Sequence, residues 1–275
     1  MTTYVDCKKD VEWLPKVLKA IQEEGFAIVE GVADKDLLQR TREALYRVQD
    51  HVLKEIGLAR MEAASERGQF RLMMKSEPMF TAYLELPEVL AVVDNTVSNS
   101  AVLHLQNGFI LPSLPPETRG SIYQNRLHMD FPRVFNGYMA SINTFFAIDD
   151  FTPNNGATLL VAGTHQKGVM PEEATVQQRS VQGICPAGSM IVFDSTLYHS
   201  AGINTSGKDR LSLNQQFTRS FLKPQMDFCR GLGEKFILEQ KPRTQQLLGW
   251  YSRVPTSLEE YYRSPEDRLY RKGQG

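Results

Sequence analysis

Gly137-Tyr-Met-Ala-Ser-Ile-Asn-Thr-Phe-Phe-Ala-Ile148, closed by Thr152-Pro-Asn-Asn-Gly156 and resumed by Thr158-Leu-Leu-Val161, is built from short strand-forming runs and tight turns. Aromatic, aliphatic and β-branched side chains favour a pleated, half-buried backbone, and Pro, Asn and Gly break it. The pattern recurs on both sides. Ala101 to Ile110, Ser189 to Phe193 and Arg210 to Phe217 read as strands, separated by Leu111-Pro-Ser-Leu-Pro-Pro116, Pro186-Ala-Gly188 and Asn204-Thr-Ser-Gly207. Upstream the period changes. Val11, Leu14, Val17, Leu18 and Ile21 recur at helical spacing and stop at Gly25, and a strand from Phe26 to Val29 ends at Gly31. Leu37, Leu38, Thr41, Leu45, Val48, Val52 and Ile56 mark a longer helix entered at Asp34 and closed by Gly57, and Pro87 opens another. No strand–helix–strand alternation appears. Helices followed by closely spaced strands give a β-barrel or sandwich core buttressed by N-terminal helices.

The prior of about one domain per 150 residues allows one or two domains in 275 residues. No repeat or linker divides the chain, so residues 1–275 are expected to form one domain, with its β core at about 100–220. The extension 222–275 is polar and helix-biased, with Phe236, Ile237, Leu247, Leu248 and Trp250 available to dock. A hydrophobic fraction of 41% supports a real core, and 31 Lys+Arg against 32 Asp+Glu excludes the basic excess of a nucleic-acid binder. No run approaches the roughly 18 apolar residues of a membrane helix. The opening MTTYVDCKKDVEW lacks the apolar stretch of a signal peptide, so a cytoplasmic location is expected. Cys7, Cys185 and Cys229 are too few and too scattered for a disulfide framework or a zinc site. Oligomeric state leaves no mark in the sequence.

Two features in the strand region carry chemistry. His128-Met129-Asp130 follows Tyr123-Gln-Asn-Arg-Leu127, and His199 ends Phe193-Asp-Ser-Thr-Leu-Tyr-His199. Residues two apart on an extended segment share a face, so His128 and Asp130 can reach one metal ion, with His199 arriving from another strand. Two imidazoles and one carboxylate on one face of an octahedron are the ligand set of non-haem Fe(II) oxygenases. The opposite face serves a chelating co-substrate and O2. Eleven residues beyond His199 comes Arg210, which shares a strand face with Ser212. A planar guanidinium takes a carboxylate bidentately, so a dicarboxylate such as 2-oxoglutarate can chelate iron at one end and reach Arg210 at the other.

The ordered set Leu127-His-Met-Asp-Phe-Pro132, Ile148-Asp-Asp-Phe-Thr-Pro-Asn-Asn-Gly-Ala-Thr158, Val161-Ala-Gly-Thr-His165, Pro186-Ala-Gly-Ser189, His199 and Arg210 resembles the phytanoyl-CoA dioxygenase family of Fe(II)/2-oxoglutarate oxygenases. The likeness covers roughly residues 20 to 220 and departs where the usual P-G-S-H reads Ala162-Gly-Thr-His165. It implies a mainly β fold with flanking helices and a double-stranded β-helix (jelly-roll, cupin-like) core. It also implies iron on His128, Asp130 and His199, and 2-oxoglutarate on Arg210 with help from Thr158 and from Asn125 or Gln124. Halogenating relatives carry Gly or Ala where Asp130 stands, so the resemblance implies hydroxylation, desaturation, epoxidation or rearrangement.

Phe131, Arg133 and Arg71 are expected substrate contacts, the last in a segment, Gln69 to Lys75, placed to cap the barrel mouth. Met73, Met74 and Met79 suit an adaptable apolar pocket. His104 shares the period-2 face of Gln106 and is read as a satisfied core histidine, His165 as structural and His51 as solvated. The expected activity is hydroxylation of an unactivated C–H bond in a small or medium organic molecule, of the kind met in natural-product biosynthesis. A near-neutral charge balance offers no surface for the phosphates of coenzyme A. Two competing readings are a non-catalytic barrel sensing a metal or 2-oxo acid, and a Zn(II) or Mn(II) isomerase or hydrolase. Arg210 has no task in the latter.

Overall fold

The computed structural model describes residues 2–115 and 125–274. Among the described residues, ten strands form two sheets: β1 (Tyr4–Asp6), β2 (Phe26–Glu30), β3 (Gln69–Arg71), β4 (Val102–Leu111), β5 (Ser141–Ala147), β6 (Leu159–Val161), β7 (Ser180–Gln182), β8 (Met190–Asp194), β9 (His199–Ser200) and β10 (Arg210–Thr218). The larger sheet has the order β1-β2-β8-β5-β10-β4-β3, and the smaller has the order β7-β6-β9. All pairs are antiparallel except β1 with β2.

Each face of the larger sheet is covered. One packs on α1 (Trp13–Glu24), α2 (Lys35–Glu55) and the helix Pro87–Thr96, where Val17, Ile21, Leu45, Val48 and Val92 meet Leu103, Phe146, Leu213 and Phe217 in the main core. The other faces the smaller sheet across Phe26, Ile28, Phe145, Ile191 and Phe193 on one side and Leu160 and Leu197 on the other. The metal-motif residues lie between the sheets. The C-terminal extension docks on the helical side, where Phe228, Ile237, Leu247 and Leu248 join the main core.

Local chemistry accounts for the boundaries. The Asp34 carboxylate accepts the Leu37 N–H at 2.8 Å and caps α2. Gly25 ends α1 in the left-handed region at φ 89°, its N–H reaching the Ala20 and Ile21 carbonyls. A side chain there would also strike His165 and Leu197. The strand expected from Gly137 begins only at Ser141. Asn136 and Gly137 both take positive φ (46° and 84°), and Tyr138 N–H closes a turn on the Phe135 carbonyl, so the chain enters the sheet four residues late.

Candidate metal centre

The His128 segment is tied to β9 by a two-way backbone bridge: His128 N–H donates to His199 O at 3.0 Å, and His199 N–H donates to His128 O at 2.9 Å. The bridge sets the imidazoles side by side with centroids 4.5 Å apart. His128 Nε2 lies 3.5 Å and His199 Nε2 3.7 Å from Asp130 Oδ1. One ligand atom from each of the three residues fits within 4.8 Å. Both Nδ1 atoms are engaged elsewhere, on the Arg126 carbonyl at 2.7 Å and the Leu197 carbonyl at 2.9 Å. As N–H donors to those carbonyls they leave both Nε2 lone pairs facing the carboxylate, the tautomer a metal ligand needs. Among the described residues, this is the one His/Cys/Asp/Glu cluster suited to a metal ion.

Burial opposes charge on all three groups, but the outcomes differ. Asp130 is held well below the usual carboxylate range, because the two imidazoles and the Asn143 amide outweigh desolvation. On His128, the hydrogen bond and charge of Asp130 overcome burial and lift the imidazole above its ordinary value. On His199 burial prevails and the imidazole is held below that value. The donor set is therefore an ionised carboxylate and two oriented imidazoles, which suits a divalent first-row ion.

The triad opens onto a cavity of about 210 Å³ whose wall includes Phe109, Phe145, Thr158, Phe193, Arg210 and Ser212. Arg210, 2% exposed, donates to Ser212 Oγ at 2.6 Å and to the Gly156 carbonyl at 3.0 Å, with its carbon end 4.4 Å from the Phe151 ring centroid. No carboxylate among the described residues comes within 4.0 Å of it, and its Nε is buried without a partner. Burial lowers the guanidinium to about 10 against the pull of Asp149, so it remains charged at neutral pH.

The other expected residues divide. Thr158 and Ser212 lie in the cavity wall. Arg71 lies there too, bonded to Glu66 (2.9 Å), Asn107 (3.2 Å) and Gln225 (2.9 Å). Asn125 instead lines a separate depression with Ala157, Ser200 and Ala201. Gln124 falls outside the described residues. Phe131 and Arg133 stand away from the cavity wall. Phe131 packs between His104 and Phe135, and Arg133 is exposed. His104 parts from Gln106 because the β4–β10 register slips there: Leu103 opposes Phe217 and Leu105 opposes Gln216, leaving His104 as the extra residue of a bulge. Its ring meets Phe131, and its Nδ1 is buried without a partner. Gln106 points the other way and bonds the Phe80 carbonyl.

Sequence reasoning missed the polar residues behind Asp130. Asn143 Nδ2 donates to Asp130 Oδ2 at 2.7 Å, and Asn214 Nδ2 approaches the same oxygen at 3.4 Å. The signal available was alternation: Ser141 and Asn143 on β5, and Arg210, Ser212, Asn214 and Gln216 on β10, are polar at every second position.

The sequence profile of the phytanoyl-CoA dioxygenase (PhyH) family matches residues 21–212. The chain belongs to this family. Beside this PhyH member stand uncharacterized proteins of Mycobacterium tuberculosis and Mycobacterium bovis, each 56% identical over 262 residues, 95% of this chain and 96% of the relative. The dioxygenase cdmD of Talaromyces verruculosus is 24% identical over 264 residues, 86% of this chain and 84% of its own. Among solved structures, the non-heme monooxygenase ThoJ in its nickel complex superposes with a TM-score of 0.59 at 16% identity, covering 77% of this chain and 80% of its own. That likeness establishes a sheet-rich fold with flanking helices similar to a non-heme oxygenase. PhyH membership and the His-Asp-His cluster together support a non-heme iron dioxygenase. No helix among the described residues is long and apolar enough to cross a membrane.

Proposed function

We propose that this PhyH member is an Fe(II)- and 2-oxoglutarate-dependent dioxygenase that hydroxylates a C–H bond of a small or medium organic molecule. The observation that carries the reading is the burial of Arg210 without an ion-pair partner among the described residues. A buried guanidinium with no carboxylate of the described residues within ion-pair distance is costly unless a ligand supplies the anion. It shares one cavity with the triad, the arrangement that a dicarboxylate bridging the two requires. The two facing sheets with the site between them are read as a double-stranded β-helix.

In this reading His128, Asp130 and His199 hold the iron, and Arg210 with Ser212 receives the distal carboxylate. Bound iron supplies the redox chemistry that couples O2 and the 2-oxo acid to C–H oxidation, leaving succinate and CO2. Arg210 fixes the co-substrate's register by a charge-assisted contact, and Thr158 adds a hydroxyl in the same wall. Phe109, Phe145 and Phe193 give the cavity apolar walls. The test is Fe(II)-dependent conversion of 2-oxoglutarate to succinate by purified protein without added substrate. Slow turnover supports the reading. Iron-loaded protein that neither turns over nor binds 2-oxoglutarate would contradict it.

A further inference from the structure

We propose that Asn143 is a positioning residue for the metal-binding carboxylate, its amide locked in one orientation by a one-way relay running from Gln216 through Ser141 and Ser195. This extends the metal-binding reading of the triad and rests on it. The contacts are Gln216 Nε2 to Ser141 Oγ at 2.9 Å, Ser141 Oγ to Ser195 Oγ at 2.7 Å, Ser195 Oγ to Asn143 Oδ1, and Asn143 Nδ2 to Asp130 Oδ2 at 2.7 Å. Ser141, Asn143, Ser195 and Gln216 are between 0% and 3% exposed, so water does not compete.

The direction follows from the end at Asp130. A metal-binding carboxylate only accepts hydrogen bonds, so the Asn143 atom facing it must be the NH2 group. Reversing that amide would set two acceptor oxygens 2.7 Å apart. With Nδ2 turned to Asp130 and Asn214, Oδ1 must accept, and the Ser195 hydroxyl spends its only proton there. Ser195 can then only accept from Ser141, and Ser141 can only accept from the Gln216 amide. Gln216 Oε1 is left buried without a partner, the expected sacrifice if its NH2 is committed to the relay.

The relay links Ser141 and Asn143 on β5, Ser195 in the turn after β8 and Gln216 near the end of β10, and ties the Asp130 side chain to all three. It occupies Asp130 Oδ2 and leaves Oδ1, the oxygen facing both imidazoles, as the ligand atom. Thr144, adjacent on β5, makes a buried hydrogen bond to Gln215 at 3.2 Å that does not lead to Asp130, which makes it a matched control.

The experiment titrates metal-free protein with Co(II), reading affinity from the visible absorption of the bound ion, alongside thermal unfolding without metal. Asn143→Ala and Ser195→Ala should each weaken Co(II) binding about ten- to a hundred-fold, the usual cost of losing a partner behind a ligand. The double variant should bind no more weakly than Asn143→Ala, because Ser195 acts only through Asn143. Thr144→Val should keep wild-type affinity even if it unfolds as early as Ser195→Ala. Should Asn143→Ala fail to fold, Ser195→Ala against Thr144→Val carries the comparison. Wild-type affinity in Ser195→Ala, or losses that multiply in the double variant, would overturn the relay while leaving the metal centre intact. Wild-type protein that took up no Co(II) would overturn the metal reading and this inference with it.

Discussion

His128 and His199, 71 positions apart in the chain, hold each other by paired main-chain hydrogen bonds of 3.0 and 2.9 Å, so the two imidazoles are set by backbone before any ion arrives. Because the bridge uses no side-chain atom, His128→Ala and His199→Ala retain it. Each should lose more iron affinity than the ten- to hundred-fold typical of an outer partner, with little change in the unfolding temperature of the metal-free protein. Equilibrium dialysis with Fe(II) under anaerobic conditions, paired with calorimetry, checks both parts. Tight iron binding in His199→Ala would show that the second histidine is not a ligand.

The opposite displacements of the two imidazoles give metal binding a pH signature. Both Nε2 atoms must be free of protons to bind an ion. As pH falls, His128 protonates first, above the ordinary imidazole value, while His199 stays neutral until below it. Affinity should therefore fall by about tenfold per pH unit through the first window and more steeply through the second. Co(II) titrations between about pH 5 and 8 measure the slope. A flat profile would remove His128 from the ligand set.

Gly108 lies where β4 passes under α2, and an added Cβ would run into Leu45 Cδ2 and Met73 Sδ. Gly108→Ala should destabilise the fold by about 1–3 kcal/mol through overpacking. Thermal unfolding should shift down by several degrees, while Fe(II) affinity of the folded variant stays at the wild-type level. An unshifted transition would mean that the helix–sheet spacing is looser than the structure shows.

Much of this was legible in the sequence, for definite reasons. The helices announce themselves through long apolar repeats and the Asp34 and Gly25 punctuation, and the longer strands through dense β-branched and aromatic runs. The three-residue strands β3 and β7 are held by their partners rather than by propensity, so no local pattern marks them. The metal motif was readable because His128, Asp130, His199 and Arg210 occur in order among the intervening turns; a His-x-Asp pair alone would not have marked it. Asn143, Asn214 and Gln216 carry no such mark, because alternating polar residues in a strand ordinarily face water. Here both faces of the sheet are covered, and the polar face is the site. The turn of His104 away from Gln106 depends on a register slip against β10, which a strand read alone does not reveal.

The central claim is that one cavity holds iron on the triad and a dicarboxylate on Arg210, and anaerobic addition of 2-oxoglutarate to the Fe(II)-loaded protein tests it most directly. Wild type should develop the weak visible charge-transfer band of the iron chelate. A charge-assisted contact is worth about 1.5–3 kcal/mol, so Arg210→Ala should need about ten- to a hundred-fold more 2-oxoglutarate for the same band, with iron binding unchanged. Arg210→Lys should recover only part, since an ammonium lacks the planar fork. No band in the iron-loaded wild type, or the same 2-oxoglutarate dependence in Arg210→Ala, would contradict the claim.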